Sequence, residues 1–503
     1  MQKARKQVLE NILNAIAIMV TASIFLKAVI DIDPNYDVWW YHVPFAARIW
    51  HIVPKEMFIG DEKWFEPRFD GFPLLAHFIQ GFFWKITGRI QTTNLVNFFS
   101  IFSFFFLLKI YFKVPFYLSA IALFSIPLIT THASTSFVDL FGNVGVSILV
   151  MMTYRFYLKR QLPSKTELFI AFLGATIAAN TKTQLQPLVF VILIFTGSRL
   201  AWLYWLSKPS TKQLWKTLLV ILLATVIIFA TPVKNTVLYR NPFYPIKVEV
   251  AGIVLNHKLT PEAYELGNRP KNWFESILEI NSTLHWTADQ WSPDPERIHR
   301  GGFFGAYVVF NLLLLFGLSI YELIHWQQLK ATGESFDACV ALTTVLIASI
   351  IPANFPQSHE LRYFMFWMIT LVSLNLYLLA NNRINQRLWR YLQPKYMGLI
   401  YLAFLAIVLS KISSFYARPV FDSLEQHLAS AVKPELLAQI EPKARVCLKI
   451  KPGLPNRNKV PIESQENAFL YSSYFHPELN YNYSIQAALD TASCGDRTIV
   501  PKP

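Results

Sequence analysis

Charged residues are scarce in this chain. Only 16% of its 503 residues are Asp, Glu, Lys or Arg, whereas soluble domains carry about 25%. This shortage argues against an ordinary soluble fold, and the 53% share of hydrophobic residues indicates lipid as the surrounding solvent. Because Lys and Arg cluster between apolar segments, we attribute the net charge of +14 to membrane orientation and expect no nucleic-acid partner.

The signature motifs of soluble enzymes are missing as well. The sequence contains no P-loop, no GxGxxG, no HExxH and no GxSxG pattern. Any chemistry must therefore come from acids, cations and aromatic residues that are distributed along the chain.

Long apolar segments predict an all-α polytopic membrane protein with about 11 transmembrane helices, since a spanning helix needs about 20 mostly apolar residues. The positive-inside rule places the N-terminus in the cytoplasm and the C-terminus outside. The predicted spans are 8–30, 95–112, 115–133, 138–156, 167–181, 185–206, 217–233, 302–326, 337–353, 361–380 and 396–412.

One further apolar stretch, Phe72–Gly88, breaks the alternation of basic loops if it crosses the membrane. We therefore predict an extracytoplasmic interfacial helix with a polar face. The transmembrane domain then covers residues 1–412, with extracytoplasmic loops at 31–94 and 234–301. Residues 413–503 form a small extracytoplasmic C-terminal domain.

The chain has three cysteines. Cys339 lies in an apolar segment, where packing explains it. Cys447 and Cys494 both lie in the polar tail, on the predicted oxidising side of the membrane. We therefore predict a disulfide between them.

Three aspartates follow the first apolar run: Asp31, Asp33 and Asp37. Helix capping before Pro34 explains Asp33, but Asp37 lies beyond that cap. Asp37 and Tyr41 are four residues apart and would share a helix face. The adjacent His42 could bind a metal ion, bind phosphate or move a proton. We therefore predict a functional site around Asp37.

Four later charged residues also call for explanation. Asp70 and Asp139 each precede a predicted helix, so capping competes with a catalytic role. Lys182 lies in a short turn between two spans, and Arg362 begins the tenth span. Cations at a membrane surface are suited to binding phosphate, although an arginine there can also reach out to the lipid headgroups.

These motifs resemble the GT-C glycosyltransferases. The pattern D-x-x-x-Y-H-x-P at 37–44 resembles their first-loop signature, and the stretch 71–88 is similar to their juxtamembrane helix. The resemblance continues in order through Asp139, Lys182 in NTK, RNPFYP at 240–245 and ELRYF at 360–364. It covers most of residues 8–380 and points to the bacterial protein-mannosyltransferase and aminoarabinose-transferase type.

The resemblance implies transfer of a sugar from a polyprenyl-phosphate or polyprenyl-diphosphate donor to a lipid, glycan or protein acceptor. The reaction would invert the sugar carbon on the extracytoplasmic face of the plasma membrane. By position, Asp37 is the general base or a metal ligand, and Asp139 is the second-loop acid. Lys182 and Arg362 contact the donor phosphate, with Tyr41 and His42 beside the substrate.

Many relatives carry Asp-Glu at the first acid, whereas this chain has Asp37-Val38. The requirement for a divalent metal ion therefore stays open, with Asp37 and His42 as its candidate ligands. Asp70 is the candidate for a second first-loop carboxylate.

Two other classes of function compete with this assignment. A transporter would be expected to have inverted repeats and helices broken at the membrane midplane. The polar residues here lie at span ends beside large outside loops, which favours an enzyme. A transferase of whole oligosaccharides or of a non-sugar group would share the same scaffold.

Overall fold

The computed structural model describes residues 2–33, 37–52, 65–260, 268–279, 302–332, 336–355, 357–381, 392–411, 418–421, 444–449, 484–488 and 495–500. These residues are mostly helical. The first helices are α1 Gln2–Ile30, α2 Val43–Ile49, α3 Phe65–Gly71, α4 Leu75–Thr87, α5 Leu95–Phe112, α6 Phe116–Phe124, α7 Pro127–His132, α8 Asp139–Leu158 and α9 Lys165–Ala179. They are followed by α10 Leu185–Leu206, α11 Thr211–Ile228, α12 Ala230–Tyr239, α13 Arg269–Leu278, α14 Gly305–Ile324, α15 Trp326–Thr332, α16 Asp337–Asn354, α17 Met365–Asn381 and α18 Pro394–Lys411. A π-helical turn, Val38–His42, precedes α2, and 3-10 turns Ile90–Asn94 and Leu361–Phe364 precede α5 and α17.

Seven helices in the described ranges are long and apolar enough to cross a membrane, which suggests a multi-pass membrane protein. Several, α11 above all, expose large apolar side chains, as expected for helices that face lipid. The seven segments are Gln7–Ile30, Ile90–Phe112, Leu185–Leu206, Thr211–Ile228, Gly305–Ile324, Asp337–Asn354 and Leu361–Asn381.

The predicted count of about 11 spans stays a prediction, because several of the other predicted segments form shorter helices. The segment 115–133 is divided into α6 and α7 before Pro127, and α9 has only 15 residues. The last helix, α18, has a shorter apolar stretch, Pro394–Ser410.

Helix α4 has 13 residues and is therefore about 20 Å long, too short to cross a hydrocarbon core of about 30 Å. Its polar face points inward, because His77 and Gln80 are almost fully buried. Phe78 and Ile86 lie on its exposed face. Apart from Lys85 and Thr87 near its C-terminal end, the exposed surface of this helix is apolar, which suits contact with lipid.

Helix α8 lies at the centre of the bundle and packs against α5, α9, α10, α16 and α17. Gly145 of α8 and Gly174 of α9 face each other so closely that a Cβ on either would lie within 3 Å of the other's carbonyl oxygen. This close antiparallel packing brings the end of α9 beside the start of α8.

Asn143 connects the start of α8 to the turn before α17. Its side-chain nitrogen donates to the carbonyl oxygens of Asp139 at 2.8 Å and Arg362 at 3.2 Å. Its side-chain oxygen accepts from the backbone N–H of Phe366 at 2.9 Å. One fully buried amide therefore sets the relative positions of two predicted site residues.

Asp31 connects the end of α1 to a short segment after α18. Its carboxylate pairs with Lys27 at 2.8 Å and accepts from the backbone N–H groups of Val420 and Phe421 at 2.8 and 3.1 Å. The buried Asp31 is thus a structural residue.

The described part of the tail contains a parallel sheet in the order β4-β3-β5, made of Arg445–Lys449 (β3), Ser484–Ala488 (β4) and Thr498–Val500 (β5). A short antiparallel hairpin, Glu249–Val250 (β1) with Ile253–Val254 (β2), follows α12. Cys447 on β3 is buried and disulfide-bonded, and its predicted partner Cys494 lies outside the described residues. Cys339 on α16 is a free thiol.

Replacing Asn143 with Ala should lower the free energy of unfolding by about 1–3 kcal/mol, because buried backbone groups lose their partners. The thermal midpoint of the detergent-solubilised protein measures the effect. Thr225→Ala is the control, since its hydroxyl only bonds within an exposed turn of α11. Equal midpoints for the two variants would contradict this role of Asn143.

Candidate functional site

Asp37 and Arg362 form an ion pair between two distant parts of the chain. The Nη1 atom of Arg362 donates to Oδ2 of Asp37 at 2.8 Å, and both side chains are largely buried. Asp37 begins the turn before α2, whereas Arg362 lies in the 3-10 turn before α17. The sequence predicted both as site residues but contained no sign that they pair.

Asp139 and Lys182 form a second ion pair beside the first. The Lys182 ammonium bonds to Oδ1 of Asp139, whose side chain is 1% exposed. The packing of α8 against α9 places the two together, because Asp139 begins α8 and Lys182 follows the end of α9. Oδ2 of Asp139 is buried and has no hydrogen-bond partner in the described ranges.

Tyr363 joins the two ion pairs. Its hydroxyl accepts from Nη2 of Arg362 at 3.1 Å. The Lys182 ammonium lies 3.9 Å from the centroid of its ring, a cation–π contact. Because Tyr363 is only 8% exposed and contacts both cations, it fixes the separation between them.

The turn that carries Lys182 is held by Asn180. The side-chain nitrogen of Asn180 donates to the Ile228 carbonyl at 2.9 Å, and its side-chain oxygen accepts from the Thr231 hydroxyl at 3.1 Å. Its backbone carbonyl accepts from the Leu75 N–H at 3.0 Å. These bonds connect the turn to α4 and to the junction of α11 and α12.

Burial changes the ionisation of two groups in this region. It lowers the pKa of the Lys182 ammonium, and the neighbouring Asp139 carboxylate opposes that shift. Burial, together with the Asp37 carboxylate, raises the pKa of the Tyr41 phenol well above its ordinary value. Tyr41 therefore keeps its proton and remains a hydrogen-bond donor at neutral pH.

His42 pairs with His77 rather than with an acid. Their Nδ1 and Nε2 atoms lie 2.9 Å apart, and the two rings stack with centroids 5.1 Å apart. Burial lowers the pKa of His42 well below its usual value and lowers that of His77 to about 3. Both rings are therefore neutral at pH 7 and add no charge beside the ion pairs.

Glu360 adds a third acid, with a carboxylate oxygen 3.5 Å from Nε of Arg362. We call the group formed by these side chains the polar cluster. Its members are Asp37, Tyr41, His42, His77, Asp139, Lys182, Glu360, Arg362 and Tyr363.

Asp70 lies outside the polar cluster. Its side chain is exposed, and its backbone carbonyl accepts from Lys234 of α12. The charged and aromatic groups around it are Lys234, Tyr239 and Tyr244. The structure thus places Asp70 against the segment 234–244 and not beside Asp37.

Asp33 is a structural residue. Its carboxylate accepts from the backbone N–H of Ser136 at 2.7 Å, and Ser136 also bonds to Asn94 at 2.5 Å. This network fixes the loop that ends at Asp139.

Three members of the polar cluster were not predicted: His77, Glu360 and Tyr363. Glu360 and Tyr363 lie in the ELRYF motif, and His77 lies in the α4 stretch with a polar face. His77 meets His42, and the Tyr363 ring meets Lys182, only through the tertiary fold, whereas Glu360 and Tyr363 also contact Arg362 within their own motif.

The described residues do not supply a metal-ligand set around Asp37 and His42. One oxygen of Asp37 is bonded to Arg362, and Nδ1 of His42 faces His77. Across the described ranges, no group of three His, Cys, Asp or Glu side chains is arranged to hold a metal ion. We therefore assign no step of the chemistry to a metal.

Comparison with known proteins gives no assignment: no protein-family model, curated protein or solved structure matches the chain.

The His42–His77 pair predicts acid sensitivity. Because the pKa of His77 is about 3 in the folded protein against about 6.5 unfolded, the unfolded state takes up the proton first as pH falls. The stabilisation is complete above about pH 6.5 and is lost progressively toward pH 3. His77→Gln, which keeps a polar partner for His42 but does not titrate, should flatten the fall of the thermal midpoint between pH 7 and pH 5.

His51→Gln is the matched control, since His51 is exposed in the loop after α2. A His77→Gln variant whose midpoint falls with acid as steeply as the wild type would show that another group is responsible.

Proposed function

We propose that the protein is a GT-C-type glycosyltransferase that takes a sugar from a polyprenyl-phosphate or polyprenyl-diphosphate donor. The acceptor is a hydroxyl on a lipid, glycan or protein at the extracytoplasmic face of the plasma membrane. The observation that supports this most is the meeting of two acids and two cations from four separate segments in the polar cluster.

The position of the polar cluster suits a lipid-linked donor. Asp37 follows the first apolar helix, and Lys182 and Arg362 directly precede or begin apolar helices. A polyprenyl chain keeps its phosphate at the membrane surface, which is where the ends of spanning helices lie. A charged side chain at such a position costs free energy, so its presence there points to a function.

The two cations suit the leaving group. When the bond between the sugar carbon and the phosphate oxygen breaks, its electron pair stays on the phosphate. Arg362 and Lys182 would stabilise that charge in a site with little water. Their fixed separation across Tyr363 means that little reorganisation is needed during the reaction.

Asp37 is the proposed general base. Its carboxylate would accept the acceptor's hydroxyl proton as the new bond to the sugar carbon forms, which leads to inversion. Both acids are paired with a cation, but Asp139 is less suited to this step because its side chain is only 1% exposed against 20% for Asp37. We propose that Asp139 positions Lys182.

Asp37→Ala should lower the rate of sugar transfer by about 10²- to 10⁴-fold, because the acceptor loses its base. The assay follows release of polyprenyl phosphate from a radiolabelled polyprenyl-phosphate sugar in membranes that contain the overexpressed protein. Glu275→Ala, which changes an exposed acid on α13, is the control. A folded Asp37→Ala variant with full activity would refute the role of Asp37.

Arg362→Lys should lower kcat/KM for the donor by about 10- to 100-fold, which corresponds to roughly 1.4–2.8 kcal/mol. Lysine keeps the charge but cannot bond in several directions at once as the guanidinium does. Arg89→Lys is the control, since Arg89 is exposed. Unchanged donor kinetics in Arg362→Lys would leave only a point-charge role for this residue.

A further inference from the structure

Every nitrogen of the Arg362 guanidinium faces a group of the protein. Nη1 donates to Asp37 at 2.8 Å, and Nη2 donates to the Tyr363 hydroxyl at 3.1 Å. Nε lies 3.5 Å from a carboxylate oxygen of Glu360. Nη1 and Nη2 each carry a second N–H, so a phosphate that binds there shares the guanidinium with Asp37 and is repelled by its carboxylate.

The charge balance of the polar cluster also disfavours a simple addition of phosphate. Its described members include three carboxylates, Asp37, Asp139 and Glu360, and two cations, Lys182 and Arg362. The two histidines that pair beside them are neutral at pH 7. The cluster thus has an excess negative charge, and an arriving phosphate would be repelled unless a carboxylate moves away.

Asp37 is the carboxylate best placed to move. Asp139 is held by Lys182, and its side chain is 1% exposed against 20% for Asp37. Glu360 lies two residues from Arg362 and is kept near it by the chain itself. Asp37, by contrast, comes from a different segment 325 residues away and meets Arg362 through a side-chain bond.

Tyr363 is a poor candidate for displacement. It is neutral and does not repel phosphate, and its ring also contacts Lys182. Losing Tyr363 would therefore disturb both cations, whereas losing Asp37 removes a negative charge from the position that the phosphate needs.

We propose that an anionic phosphate headgroup displaces Asp37 from Arg362, so that donor binding itself releases the catalytic base. This inference rests on the proposed function, because it concerns the same donor and base. Asp37 would compete with the phosphate for Arg362 until the donor is bound, and only then become free to accept a proton. The donor would bind first and the acceptor second.

The exchange and an ordinary binding role for Asp37 predict opposite effects of its removal on phosphate binding. If Asp37 competes with phosphate, its removal should strengthen phosphate binding while it abolishes transfer. If Asp37 instead helps to hold the donor, its removal should weaken binding.

The test measures binding of farnesyl phosphate to the full-length protein in nanodiscs by isothermal titration calorimetry. Asp37→Ala should bind the probe about 10-fold more tightly than the wild type. Asp37→Asn, which keeps the shape but loses the charge, should show a gain in the same direction. Glu275→Ala should leave the affinity unchanged, and Arg362→Ala should lose most of it.

Farnesol is the uncharged control probe. Its binding should not change in Asp37→Ala, because only a charged headgroup competes with the carboxylate. An equal gain for farnesol would overturn the exchange, since the effect would then not depend on charge.

Unchanged or weaker binding of farnesyl phosphate in both Asp37 variants would also overturn the exchange. If Arg362→Ala still lost binding and transfer, the proposed function would stand without it. If neither the wild type nor any variant bound farnesyl phosphate, the exchange and the proposed donor would both be wrong. The Asn variant guards against misfolding, because it preserves an acceptor for Arg362.

Discussion

Buried charge is the constraint on which this structure depends. Moving an isolated ion out of water costs several kcal/mol, so buried ions persist only when they are paired and hydrogen-bonded. Asp37 with Arg362 and Asp139 with Lys182 meet this condition, and Tyr363 contacts both cations. Removing one partner would leave the other uncompensated. Each ion pair therefore holds two separate segments of the chain next to each other.

A few buried amides and two glycines position the segments that carry these ion pairs. Asn143 sets the start of α8 against the turn that carries Arg362, and Asn180 holds the turn that carries Lys182. The close approach of Gly145 and Gly174 brings the ends of α8 and α9 together. The amide hydrogen bonds are directional, unlike apolar packing, and the glycines let two backbones approach closely; both kinds of contact suit helix packing in a membrane.

The same ionic groups carry the proposed binding of phosphate. Lys182 and Arg362 provide fixed positive charge, and the neutral His42–His77 pair adds none of its own. In the exchange proposed for Asp37, this carboxylate pairs with Arg362 until the donor phosphate binds. The phosphate would then displace Asp37 from Arg362 and so free the base. Asp31 and Asp33, which bond to backbone N–H groups, have structural roles and lie outside this chemistry.

The helical fold and most charged residues of the polar cluster could be predicted from local sequence. Apolar runs predicted a helical membrane protein because lipid offers no hydrogen-bond partners to the backbone and thus favours helices. The positions of Asp37, Asp139, Lys182 and Arg362 at the ends of those runs marked them as site candidates. A charge near lipid costs free energy, so its presence indicates a function. The separation of Asp70 from these residues, and the membership of His77, Glu360 and Tyr363, depended on tertiary structure. Which acid meets which cation is set by helix packing over hundreds of residues, and the free energy of an ion pair depends on distance and burial, which no local pattern contains.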